Sequence, residues 1–151
     1  MSEFKPFDDK LAGLIGALSP AGRRKLAAEI AKELRRSQQQ RIKQQKTPDG
    51  TPYQARKRQP LRAKNGRIKR AMFQKLRTSR YMKASGRSET AVVEFTRKVQ
   101  RIAQIHHFGL KDRPSPYAQN IQYTKRQLLG INQFEKLLIE GVVIGGLKRG
   151  D

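Results

Sequence analysis

Between residues 35 and 87 the chain carries 18 lysines and arginines against a single acid, Asp49. That segment supplies +17 of the whole chain's +22, in little more than a third of its 151 residues. Packed on one folded surface, so much like charge repels itself, and a compact state needs it solvated or answered by an anion. The flanks are nearly balanced, with +1 over residues 1–34 and +4 over 88–151. One use of such a block is a solvated arm that keeps the protein soluble. The other, which the excess favours, is a surface that meets nucleic acid or an acidic protein face.

The rest of the composition limits how such a surface can be supported. Only 36% of residues are hydrophobic and 7% aromatic, so the core is expected to be small and to depend in part on partners. The length suits one domain, taken as 1–151, with a helical part at 7–45, a basic loop at 47–66 and an α+β core at 67–146. The absence of cysteine excludes disulfides, thiolate nucleophiles and cysteine-ligated zinc, and fits a reducing compartment. The start, MSEFKPFDD, lacks the pattern of a signal peptide. The longest apolar stretch, Leu137 to Leu147, is broken by Glu140 and falls short of the roughly 20 residues that span a bilayer. A soluble chain made inside a cell, with no membrane partner, is the expectation.

Periodicity places the elements. Phe7, Leu11, Leu14, Ile15 and Leu18 recur at helical spacing. Ser19-Pro20 supplies a cap and a first-turn proline for a second helix running to about Gln45, with Leu26, Ala27, Ile30, Ala31, Leu34 and Ile42 as its stripe. Beyond Leu34 that stripe thins into RRSQQQRIKQQK, so the second half is expected to project or to pack on a neighbouring chain. Prolines 48, 52 and 60 and the turn dipeptides Asp49-Gly50 and Asn65-Gly66 make 47–66 a long basic loop. Helix is predicted again over Arg67–Arg77, then a hairpin over 79–96 turning at Gly86. A helix follows over Lys98–Phe108, with Val99, Ile102, Ala103 and His106 on one face, stopped by Gly109. A second loop covers 110–120, and a short strand Ile121–Thr124. Asn132 and Glu135 form a capping box for a last helix to about Ile144, carrying Phe134, Leu137, Leu138, Val142 and Val143. Gly141 and Gly145 on that helix are explained by local packing or by the helix ending, in preference to a dimerisation seam. The fold class is α+β: N-terminal and C-terminal helices around a small antiparallel sheet with a long basic loop.

Signatures of catalysis are scarce. His106 and His107 are adjacent, so on a helix they point in different directions, and His106 is expected to close the core with a satisfied ring nitrogen. Glu89, Glu94 and Asp112 have no spacing that would gather them round a metal, and neither a phosphate loop nor a nucleophile elbow occurs. No enzyme activity, cofactor or metal is expected. The candidate partner- or anion-binding residues are Arg56, Lys57, Arg58, Arg62, Lys64, Arg67, Lys69 and Arg70, a run that can contact phosphates or carboxylates without sequence preference. No zinc-finger spacing or RNP-type aromatic pattern accompanies them, and Tyr53 and Tyr81 do not suggest a stacking platform.

Four stretches together resemble a known family: Leu18–Gln59, Met72–Lys83, Ala91–Arg113 and Gln122–Ile131. Within them, PDGTPY followed closely by Arg56-Lys57, and R-I-A-x-I-H-x-F-G-L-x-D-R at Arg101–Arg113, are specific in combination. The resemblance is to the phage virion morphogenesis family, the S-type tail completion proteins of contractile-tailed temperate bacteriophages. It implies a structural protein of the virion that acts late, finishing the head-proximal end of the tail so that it can join a filled head. It also implies a homo-oligomeric ring, commonly of six subunits, as in related neck and terminator proteins. Tail-tube or tail-terminator proteins, head-connector proteins and DNA in the channel are the implied partners. The alternative from another class is a basic nucleic-acid-binding module.

Overall fold

The computed structural model describes residues 13, 16–56, 70–87 and 90–148. Among the described residues three helices, α1 (Pro20–Lys43), α2 (Arg97–Phe108) and α3 (Gln133–Lys148), accompany four strands, β1 (Met82–Gly86), β2 (Ala91–Phe95), β3 (Lys111–Asp112) and β4 (Ile121–Gln122). The α+β class holds, but the expected single sheet is two separate two-stranded ladders, β1–β2 and β3–β4. Of the helix expected over 7–18, only 13 and 16–18 are described: Gly13 and Gly16 are helical, and Ala17 and Leu18 are not.

The chain divides into two compact units. One comprises 1–37, 82–94 and 131–151, and the other 38–81 and 95–130. In the first, Leu26, Ile30 and Leu34 of α1 bury against Val143 of α3, with Leu18, Ala91, Val93, Ile139 and Val142 packed around them. Ser19 caps α1 as its sequence predicts, its Oγ accepting the Gly22 N–H at 3.0 Å. The Asn132–Glu135 box also forms: Asn132 Oδ1 accepts the Glu135 N–H at 2.9 Å and Glu135 Oε1 accepts the Asn132 N–H at 3.3 Å. Gly86 does not make the hairpin turn. It ends β1 where the strand meets α1, leaving no room for a side chain beside Ala27 and Ala28. α3 runs on to Lys148, past the expected end near Ile144, and exposes Phe134 and Leu137 instead of burying them.

The second unit corrects three expectations. The polar end of α1 does not project: Gln38, Arg41 and Ile42 are buried. Gln38 Nε2 donates to Gly130 O at 2.8 Å, and Arg41 Nη2 donates to Leu128 O at 3.3 Å and Gly130 O at 3.1 Å. Side-chain hydrogen bonds to backbone carbonyls do here what an apolar stripe does elsewhere. Next, the described part of the expected helix 67–77 is a series of turns. Gln45, itself at φ 59°, donates to Met72 O and accepts the Met72 N–H, each at 2.9 Å. Phe73 then adopts φ 63°, which a right-handed helix excludes. Finally, the loop 110–120 begins with β3, whose Lys111 and Asp112 pair with Gln122 and Ile121. α2 matches its expected span within one residue and ends at Gly109, φ 67°. It buries Ala103 and Ile105, while Ile102 is 52% exposed.

Candidate functional site

The basic excursion leaves the described structure after Arg56 and re-enters at Arg70, and these two residues meet. Arg56 Nη1 donates to Arg70 O at 2.7 Å, so the root of the excursion is closed by a charge-assisted bond. A tight turn sets the approach to that root. Thr47 N–H donates to Thr51 O at 2.9 Å, Lys46 bridges to Pro52, and Tyr53 N–H donates to Gln45 O at 2.7 Å. Asp49, the one acid of the block, is spent inside the turn. The Thr47 hydroxyl and the Thr51 N–H donate to it and lower its pKa to about 2, so it stays ionised and local.

An open cleft of about 620 Å³ lies at this root. Arg56, Arg70 and Lys75 supply cations to its lining, Phe73, Tyr81 and Ile102 supply apolar surface, and none of the described lining residues is acidic. Behind Phe73 runs a row of edge-to-face rings, Tyr53–Phe73–His106–Tyr123, with centroids 5.6, 5.2 and 5.1 Å apart. Burial raises the Tyr53 phenol to about 12, against the pull of Arg41 and Arg126, and its hydroxyl donates to Gln127 O at 3.1 Å. Arg126 is buried and ties down the stretch before Arg56, donating to Gln54 O at 2.8 Å and Ala55 O at 3.2 Å. The described lining of the cleft is therefore cationic and apolar.

Both histidines belong to this framework. The buried Nδ1 of His106 has no hydrogen-bond partner among the described residues, and ring packing against Phe73 and Tyr123 holds the side chain. His107 Nδ1 accepts the Leu128 N–H at 3.2 Å, which requires that nitrogen unprotonated. Burial lowers both pKa values, aided by Arg126 at His106 and Lys125 at His107. The unfolded chain, with imidazoles near the usual value of about 6.5, then binds more protons than the folded one as pH falls. Their stabilising contribution is complete above that value and is lost as pH drops through the lowered folded pKa values. The melting temperature is therefore expected to fall between pH 7.5 and 5.5, and less so in a His106→Phe, His107→Asn double variant. Equal slopes in the two proteins would contradict this.

Of the eight candidate residues, Arg56 and Arg70 are brought together at the cleft. Lys57, Arg58, Arg62, Lys64, Arg67 and Lys69 lie outside the described residues. Sequence reasoning missed Lys75, Phe73 and Arg126. Lys75 lies in a segment whose periodicity predicts helix, and Arg126 has no signal beyond its charge. Among the described residues no group of three histidine, cysteine or acidic side chains could hold a metal, and no helix is long and apolar enough to cross a membrane.

Comparison with known proteins bears on the same stretches. The chain is 47% identical over 150 residues to tail completion protein S of Escherichia phage P2, covering 99% of this chain and 100% of that protein. No solved structure matches it. The model of the phage virion morphogenesis family matches residues 2–148, and with nearly the full length accounted for in both comparisons, the chain belongs to the phage virion morphogenesis family.

Proposed function

We propose that this protein completes the phage tail: a non-enzymatic virion component at the head-proximal end, assembled as a homo-oligomeric ring, commonly of six, that makes the tail competent for head joining. The observation that carries this is the 47% identity, over 99% of this chain, to a protein named for tail completion. A small core and a concentrated cationic block suit a subunit whose order and charge are completed by neighbours.

Within that role the block, from Arg56 and Arg70 at the cleft through the intervening basic run, docks on acidic faces of tail-tube, terminator or head-connector proteins. Charge complementarity of this kind sets register and on-rate. Lining the lumen against DNA is the second use of the same residues. A channel that must pass DNA quickly gains little from a strongly cationic wall, so docking is preferred. A free-standing nucleic-acid-binding module would instead persist as a monomer and bind DNA or RNA with a steep salt slope.

Electron microscopy of particles from infected cells tests the role. A tag on the protein is expected at the head–tail junction, and phage lacking the protein are expected to leave tails and filled heads unjoined. A tag elsewhere in the virion, or normal virions without the protein, would overturn the proposal.

A further inference from the structure

α3 passes through Gly141 and Gly145 without ending, and a Cβ at Gly141 would meet nothing within 4 Å. Neither a helix stop nor packing among the described residues accounts for that glycine, which costs a helix interior roughly 1 kcal/mol relative to alanine. Its neighbours on the surface are large and apolar. Phe134 is 64% exposed, Leu137 55% and Ile144 42%. Positions 134, 137, 141 and 144 follow steps of three and four and form one stripe along the helix. The opposite face is already spent: Glu135 and Val143 are fully buried, and Ile139 and Val142 pack on the core. Single exposed apolar residues are ordinary, but a continuous stripe with a notch at its middle is a contact surface.

Charge and symmetry identify the occupant. Over α3 itself the charges are Glu135, Lys136, Glu140 and Lys148, net zero in a chain of +22. Here two copies of this cationic protein repel each other least, whereas an acidic partner is drawn to the basic block. The stripe is also complementary to itself. Turned antiparallel about position 139, Phe134 of one helix faces Ile144 of the other, and Leu137 faces Gly141. The large side chain meets the empty notch twice, once on each side of the axis, as an isologous contact requires.

We propose that α3 pairs two copies of this chain antiparallel, with Leu137 of each seated in the notch over Gly141 of the other. The contact closes on itself after two subunits, so it differs from the head-to-tail contacts of a ring and does not rest on the tail role.

The chain has no cysteine, so single cysteines report the register cleanly. Leu137→Cys and Gly141→Cys are purified, then oxidised separately and as a mixture. A disulfide needs Cβ atoms about 3.5–4.5 Å apart, so covalent dimers are expected chiefly in the mixture. Light scattering is expected to show association of the wild-type chain, weakened at least about tenfold in Leu137→Glu by burying a carboxylate against an apolar notch. Because Leu137 is exposed in the single chain, that variant keeps its helical circular dichroism. Cross-linking of either variant alone as efficient as in the mixture would overturn the pairing. So would association unaffected by Leu137→Glu, or a wild-type monomer whose stripe binds only another tail protein.

Discussion

Gly86→Ala is expected to destabilise the protein by about 3 kcal/mol, at the upper end of overpacking costs. The added Cβ would stand 2.5 Å from Ala28 Cα and 2.8 Å from Ala27 C. Both atoms belong to the backbone of α1, so no side chain can rotate away, and β1 and the helix must part. Parting them strains the neighbourhood of Leu26 and Ala27, which are buried on the same stretch of α1. For a chain of this size the corresponding drop in melting temperature is about 10 °C. Chemical denaturation checks the free energy, and a midpoint close to wild type would show that strand and helix do not approach as described.

Arg41→Ala is expected to cost a similar amount, about 3 kcal/mol, for a different reason. Arg41 is buried at 7% exposure and donates to Gln38 Oε1 as well as to the carbonyls of Leu128 and Gly130. Removing the guanidinium takes the donor from Leu128 O, leaves Gly130 O with Gln38 alone and opens space beneath α1. Lysine brings a point charge without the planar fork, so Arg41→Lys is expected to recover less than half of the loss. Urea melts of the two variants check this, and an Arg41→Lys protein as stable as wild type would contradict it.

These two sites also show where sequence legibility ends. The stripe Leu26–Leu34, the Ser19 cap, the Asn132–Glu135 box and the stop at Gly109 all depend on residues within four positions of each other, and all formed. The polar end of α1 was misjudged because its partners lie about 90 residues away, at Leu128 and Gly130, and are backbone atoms with no side-chain pattern to read. Phe73 carries no turn signal; Gln45 captures Met72 from 27 residues away. For the apolar residues of α3, periodicity reports that a face is apolar, not which molecule covers it. Of the candidate site, the charge was legible and the cleft was not. Arg56 and Arg70 were marked by composition, while Phe73, Tyr81 and Lys75 reach the same cleft only through the folding of 70–81.

The cationic block joins these observations to the proposed role. Its single acid is consumed by a turn, its root is closed by Arg56 on Arg70, and Arg126 fixes the backbone leading into it. The docking proposed above would draw on the charge that the block retains after that turn. The most direct test is a count of joined virions, headless tails and tailless heads after infection with phage carrying Arg56→Ser, Lys57→Ser and Arg58→Ser. A Lys57→Ser, Arg58→Ser double variant separates loss of charge from loss of the Arg56–Arg70 bond. Predicted is normal accumulation and self-assembly of both variants, with headless tails and tailless heads piling up in each. Normal virion yield from the triple variant would contradict docking through the block.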